Sequence, residues 1–232
     1  VEILTPPAKE RTEVLDLGTS KEWPRLVGKV RREWGEWTVA LLWNPLDKEQ
    51  KVTLDFARIG LDAKRRYAVW SFWDNRYLGV VEGSYTTPFL APSASQHLCF
   101  TELPQGSSKP VLIGSDLHVY CGAAELRRVT SLYSAMQIEL ADAGAREGNL
   151  FIYSPFRPVV KDAAGCEVEG IKAAGENAWQ VAVRGRRPGE AQRIELGIPL
   201  PMTRQVWFWA MCGVLAASLI FSGWRYVAWQ RS

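Results

Sequence analysis

Residue types that bind metal ions are scarce in this chain of 232 residues, which has two histidines and four cysteines. No two cysteines have the spacing of a zinc site, so we predict no metal and no cofactor. Cys212 lies inside a long apolar run and has no means of pairing with the others. The remaining three are an odd number and predict no disulfide framework: Cys99, Cys121 and Cys166.

Neither sign of charge is in strong excess, because the chain has 28 lysines and arginines and 25 acidic residues, which gives a net charge of +3. The basic clusters are short and lie beside turn signals. This pattern argues against a nucleic-acid-binding protein. An apolar fraction of 47% is ample for a packed core, so we expect a folded protein.

No catalytic signature stands out. Hydrolysis of a glycosidic bond, for example, needs two facing carboxylates about 5 to 10 Å apart, and no spacing in the sequence selects such a pair. Asp116 and His118 follow a turn signal and are interpreted as structural residues. We predict no catalytic residue in this chain. The scattered acidic residues considered are Glu82, Asp116, Glu125 and Asp162.

The longest uncharged run covers residues 205–224. A helix of that length spans roughly 30 Å, the thickness of the hydrocarbon core of a bilayer. Arg204 and Arg225 bracket the run, which predicts a single membrane-spanning helix with a short tail over residues 201–232. The flanking arginines do not decide sidedness. Five aromatic residues are predicted to lie at the membrane interfaces: Trp207, Trp209, Trp224, Tyr226 and Trp229.

Apolar residues alternate with polar ones in several short segments, which is typical of half-buried strands. Examples are Val52, Leu54 and Phe56, and then Met136, Ile138 and Leu140. Turn clusters separate these segments, so we predict an all-β protein with an antiparallel β-sandwich, or two in series. The predicted domains are an irregular linker or docking arm at 1–32, a β-sandwich at 33–104, a second sandwich part at 105–200, and the membrane segment.

An aromatic-rich hairpin surrounds Asp74 and Asn75, a pair that tolerates the backbone of a tight turn. Its rings have two interpretations. Large aromatics bury the most area and so favour a place in the core. Exposed rings would instead stack on the faces of sugars. The candidate platforms for that second interpretation are Trp70, Trp73 and Trp179.

Three runs, taken together, resemble the C-terminal β-sandwich of α-galactosidase-like glycoside hydrolases of the melibiase group. Residues 35–44 (GEWTVALLWN) are similar to the opening strand of that sandwich. Residues 52–79 include VTLDF, IGL, WSFW and YLG, similar to its aspartate-leucine-glycine-leucine segment and the aromatic strand that follows. Residues 112–126 begin LIGSDLH and are similar to its glycine-threonine-aspartate-x-His strand, with Cys121 in place of a glutamine.

In that family the sandwich follows a catalytic (β/α)8 barrel that carries both catalytic aspartates. The resemblance therefore implies a non-catalytic sandwich that braces a barrel absent from this chain, in a parent enzyme acting on α-linked sugars. With the added helix, we expect a single-pass membrane protein whose β region is extracytoplasmic. The alternatives are a membrane-tethered carbohydrate-binding module and an envelope scaffold that binds other proteins.

Overall fold

The computed structural model of the chain describes residues 4, 12–14, 25–106, 108–187 and 189–199. This part is all-β, as predicted, and every strand pairing is antiparallel. The strands are β1 Thr12–Val14, β2 Arg25–Arg32, β3 Gly35–Trp43, β4 Thr53–Asp55, β5 Arg66–Ser71, β6 Arg76–Glu82, β7 Ser84–Thr86, β8 Ser95–Glu102, β9 Val111–Ser115, β10 Leu126–Ser131, β11 Ala135–Leu140, β12 Gly148–Tyr153, β13 Val159–Ala164, β14 Glu167–Gly175, β15 Ala178–Arg184 and β16 Gln192–Gly197.

Four sheets are formed by these strands. The six-stranded sheet has the order β1-β2-β3-β8-β5-β6, and a two-stranded sheet contains β4 and β7. The inner four-stranded sheet has the order β14-β15-β12-β9, and the outer four-stranded sheet has the order β10-β11-β16-β13.

Three apolar cores hold these sheets in a stack. The aromatic core, with Trp70 and Phe151, lies between the six-stranded and inner sheets. The flanking core, with Phe56 and Phe100, lies between the six-stranded and two-stranded sheets. The aliphatic core, with Ile138, lies between the inner and outer sheets. The six-stranded and inner sheets are thus covered on both faces, which explains why several of their strands are apolar on both sides.

The apolar residues of the alternating segments are buried in these cores. Val52, Leu54 and Phe56 are all buried in the flanking core, as their period of two predicts. Met136 and Ile138, from the second alternating segment, are buried in the aliphatic core. The strand faces were therefore predictable wherever only one face of a strand is buried.

A division of the chain into two compact units falls after Ile198. No helix among the described residues is long and apolar enough to span a membrane. The predicted membrane segment at 201–232 lies outside the described residues, together with its interface residues Trp207, Trp209, Trp224, Tyr226 and Trp229. Of the predicted arm at 1–32, the described parts include β1, which pairs with β2. The predicted boundary between the two sandwich parts, after residue 104, lies between β8 and β9.

Candidate functional site: an exposed aromatic patch

The turn between β5 and β6 projects one tryptophan into solvent. Asn75 has the left-handed backbone (φ 47°) that its residue type tolerates, and its N–H donates to the carbonyl of Phe72 at 3.1 Å. The Ser71 hydroxyl donates to Asp74 Oδ2 at 2.7 Å, which ties the turn to the end of β5. Phe72 is buried, whereas the side chain of Trp73 is 56% exposed.

Edge contacts hold the Trp73 ring in place. Its centroid lies 4.8 Å from that of Phe72, with an interplanar angle of 83°. The His97 ring lies 6.2 Å away at 85°. Such edge-to-face contacts are favourable because the positive edge of one ring meets the negative face of another. Trp73 is therefore an anchored platform with an accessible surface.

His97 is uncharged at neutral pH. Burial lowers the pKa of its imidazole to about 4, and only a hydrogen bond to the backbone of Val119 opposes this effect. The histidine is therefore a neutral, partly buried ring beside Trp73. Its Nε2 atom is buried and has no hydrogen-bond partner among the described residues.

A second exposed indole lies on the same face of the six-stranded sheet. Leu41 pairs with His97 across β3 and β8, and Trp43 follows two positions later. Residues two apart on a strand share a face, so Trp43 and His97 are on the same side. Trp43 is 39% exposed. We refer to Leu41, Trp43, Trp73 and His97 as the aromatic patch.

The other two predicted platforms lie elsewhere. Trp70 is fully buried, with its ring 5.0 Å from that of Phe151, so its faces are not available to a sugar. Trp179 is partly buried, and its indole N–H donates to the carbonyl of Ser154 at 2.9 Å. It shares a strand face with Val181 of the aliphatic core. The three tryptophans therefore do not form one platform.

Asp116 and His118 have local structural contacts. The carboxylate of Asp116 accepts hydrogen bonds from the backbone N–H and the side-chain amide of Asn149. His118 is fully buried, and its Nδ1 accepts the backbone N–H of Tyr120 at 3.2 Å. The bonds of Asp116 connect the loop after β9 to β12, and the bond of His118 lies within that loop, in agreement with the structural interpretation of the two residues.

Sequence reasoning missed two buried polar residues near the aliphatic core, Glu125 and Arg186. Glu125 and Arg186 interact electrostatically, and Arg186 donates to Gln192 Oε1 at 2.9 Å and to the carbonyls of Ala143 and Ala145. Burial raises the pKa of Glu125 to about 7, although hydrogen bonds and Arg186 oppose the shift. The partners are distant in the sequence, and no local pattern signals the contact.

Of the four carboxylates considered from the sequence, two others have surface roles. Glu82 is exposed at the end of β6. Asp162 forms an ion pair with Arg193 at 3.0 Å on the outer sheet. Within the described ranges, no group of three histidine, cysteine or acidic residues is arranged to hold a metal ion. The three described cysteines, Cys99, Cys121 and Cys166, are buried free thiols.

Two grooves open on other surfaces. One, of about 710 Å³, is lined by the β2–β3 turn and by β10, and contains Arg127, Arg128 and Trp34. Trp34 stacks on Trp37 with ring centroids 5.0 Å apart. The other groove, of about 360 Å³, lies beside Tyr67 and Glu102. Neither groove includes a predicted sugar platform.

No model of a known protein family matches this sequence, and no curated protein matches it either. Among solved structures, a GH27 β-L-arabinopyranosidase from Geobacillus stearothermophilus matches with a TM-score of 0.33 and 15% identity, over 40% of this chain and 20% of the enzyme. α-Galactosidase I from Mortierella vinacea matches with a TM-score of 0.32 and 17% identity, over 38% of this chain and 22% of the enzyme. The matched part therefore spans about a fifth of each enzyme. Likenesses this limited do not establish a fold or an activity.

Proposed function

We propose that this chain is the non-catalytic β-sandwich region of a glycoside hydrolase that acts on α-linked sugars, and that its aromatic patch binds a catalytic domain of the same protein. The sugar class comes from the sequence resemblance to α-galactosidase-like enzymes. The patch supplies a surface suited to the docking role, because the exposed indoles of Trp43 and Trp73 lie beside the neutral, partly buried ring of His97.

The observation that carries the proposal is the convergence of the three resembling runs. Each run contributes buried residues to the aromatic core: Trp37 from the first, Trp70 from the second, and Ile113 from the third. Segments far apart in the sequence thus form one structural unit, as expected if they derive from one domain type. The aromatic patch continues this unit at the surface through Phe72, which contacts both Trp73 and His97.

Hydrolysis of aryl α-galactosides by the purified chain tests the non-catalytic role. We expect no turnover above the rate without protein. Turnover that survives further purification would contradict the proposal. The mass of the native protein, or its upstream coding sequence, then shows whether a barrel-sized region precedes Val1. A native protein that begins at Val1 would remove the enzyme interpretation.

In a longer native protein, the docking role predicts that the patch stabilises the catalytic domain. Trp43→Ser and Trp73→Ser together should lower the melting temperature of that domain while the β region stays folded. Exposed Phe89, in the loop after β7, offers a matched control as Phe89→Ser. Equal effects of the two replacements would show that the patch has no special role.

The proposal includes a membrane anchor at residues 201–232 and an extracytoplasmic β region, which would keep the enzyme where glycans are met. Its support is the uncharged run at 205–224 and the aromatic residues that flank it. Alkaline carbonate extraction of membranes from expressing cells tests the anchor. Release of the full chain into the supernatant would contradict it.

A second candidate function is direct glycan binding, favoured by the anchored and exposed ring of Trp73. Calorimetric titration with α-linked galacto-oligosaccharides should then show binding that Trp73→Ala abolishes. Trp179→Ala is the control, since this ring lies on a different sheet face. Loss of binding in Trp73→Ala would favour a carbohydrate-binding module. Absence of binding by the unsubstituted chain would leave binding of a catalytic domain as the proposed role of the patch.

A further inference from the structure

Four exposed apolar residues cluster at one end of the outer sheet. Leu132 and Tyr133 occupy the turn between β10 and β11, and each is 56% exposed. Val159 and Val160 begin β13 and are 49% and 42% exposed. These four account for half of the large exposed apolar side chains found in the described residues. We call them the exit patch.

The strand register places the exit patch around the point where the chain leaves the β region. Gly197, at the end of β16, pairs with Ala135 on one side and with Val159 on the other. The next residue, Ile198, donates its N–H to the carbonyl of Ser134 at 2.8 Å. Ser134 directly follows Tyr133 in the turn. Ile198 is also the last residue of the first compact unit.

The sequence that follows this exit point is the uncharged run at 205–224. Six residues separate Ile198 from the start of that run, and an extended chain covers at most about 3.6 Å per residue. If the run enters a bilayer, the exit patch is held within roughly 25 Å of the membrane surface. A solvent-exposed apolar cluster at this location is therefore near enough to contact the bilayer.

Basic residues accompany the patch. Lys109 Nζ lies 5.1 Å from the centroid of the Tyr133 ring, and the stem of Lys161 packs beside Gly197. Lysines with apolar stems and a tyrosine with a polar tip suit the headgroup region, particularly where the lipids are anionic. The acidic neighbour Asp162 is engaged in its ion pair with Arg193.

The edge strand at the patch is poorly suited to pairing with a second copy. β13 is the edge of the outer sheet, and its register shifts between Val160 and Asp162, so Lys161 interrupts the ladder. A bulge and a lysine on an edge strand are common features that prevent strand addition. This observation favours a lipid surface over another copy of the chain as the occupant.

We propose that the exit patch lies against the bilayer, with Leu132, Tyr133, Val159 and Val160 in the headgroup region and Lys109 and Lys161 facing anionic lipid. The inference rests on the membrane anchor in the proposed function. Contact at the patch would fix the orientation of the β region on the membrane by adding a second point of attachment to the anchor. It thereby sets the direction in which the aromatic patch faces.

The test uses the full chain with Cys212→Ser, so that no cysteine remains in the predicted membrane run. Leu132→Cys carries an environment-sensitive fluorophore, and Thr86→Cys, on the two-stranded sheet at the opposite side of the stack, is the matched control. The native thiols Cys99, Cys121 and Cys166 are buried and should not react. Val159→Cys provides a second probe in the patch if Leu132→Cys does not fold.

Each protein is reconstituted into vesicles of phosphatidylcholine and phosphatidylglycerol, and quenching by aqueous iodide is measured. We expect the label at position 132 to emit at shorter wavelength and to be quenched several-fold less than the label at position 86. Equal quenching in protein that floats with the vesicles would overturn the patch contact and leave the anchor intact. Failure to float with the vesicles would overturn the anchor itself. Protection that persists in detergent and grows with protein concentration would show that a second copy covers the patch.

Discussion

The aromatic and aliphatic cores of this protein lie on opposite faces of the same inner sheet, yet they are built differently. The aromatic core is formed by large rings such as Trp70, Phe72 and Phe151. The aliphatic core has only branched and straight-chain residues among its fully buried members, for example Ile138 and Leu150. Rings fill volume with few residues but impose strict geometry, whereas aliphatic side chains adapt more easily.

This difference explains where surface features arise. The aromatic core extends to the surface as the aromatic patch, because Phe72 contacts Trp73 and His97. Near the aliphatic core, Glu125 and Arg186 are both buried and interact electrostatically. One core therefore ends in exposed aromatic rings, and the other ends beside buried polar side chains that include Glu125 and Arg186.

The largest effect should come from truncation in the aromatic core. We expect Trp70→Ala to lower the free energy of unfolding by about 4 kcal/mol, because a fully buried ring is lost and a cavity remains. Ile138→Val in the aliphatic core should cost only about 1 kcal/mol. Urea unfolding followed by circular dichroism measures both. Similar losses for the two variants would show that the ring geometry is not critical.

Two titratable groups shifted by burial, Glu125 and His97, should give opposite pH dependences. The pKa of Glu125 rises from 4.5 to about 7 on folding, so the unfolded state loses its proton first and stability falls as pH rises through this range. The pKa of His97 falls from 6.5 to about 4, so stability falls as pH decreases from 6.5 towards 4. Each contribution amounts to about 3 kcal/mol across its range.

Single replacements separate these contributions. Glu125→Gln should leave a stability curve that rises with pH between 4.5 and 6.5, because the opposing contribution of Glu125 is then removed. His97→Gln should leave a curve that falls over the same range. The free energy of unfolding at several pH values measures both slopes. Slopes of the same sign in the two variants would refute the assignments.

A glycine replacement tests the close contact in the aromatic core. A Cβ on Gly114 would lie 2.5 Å from Cε3 of the Trp70 ring, closer than any real contact. We expect Gly114→Ala to cost about 2 kcal/mol because the ring must shift. Gly170→Ala is the matched control, since nothing lies within 4 Å of its added methyl group. An equally small effect at both sites would mean that the aromatic core is loosely packed.

The smallest effect on stability should come from the exposed ring. Trp73→Ser removes a side chain that is mostly in solvent, so we expect a change in the free energy of unfolding below about 0.5 kcal/mol. Thermal unfolding of the isolated chain measures it. A loss of unfolding free energy comparable to that of Trp70→Ala would show that Trp73 mainly stabilises the fold.

Much of the fold was predictable from the sequence because a half-buried strand has an alternating pattern that depends only on neighbouring residues. The buried set of Val52, Leu54 and Phe56 follows from that pattern, and Asn75 marks the hairpin turn by its residue type. The electrostatic interaction between buried Glu125 and Arg186 was not predictable. It requires knowledge of which loops the sheet stacking brings together.

The sequence by itself determined that the part of the chain described by the structure is built of antiparallel strands, because strand periodicity and turn chemistry are local properties. It also placed an aromatic-rich hairpin at residues 67–79. Only the tertiary structure decided that Trp70 is core and Trp73 is surface, although both belong to that hairpin. The reason is that burial depends on where the inner sheet covers the six-stranded sheet, and that coverage is set by contacts with β9 and β12, distant in the chain.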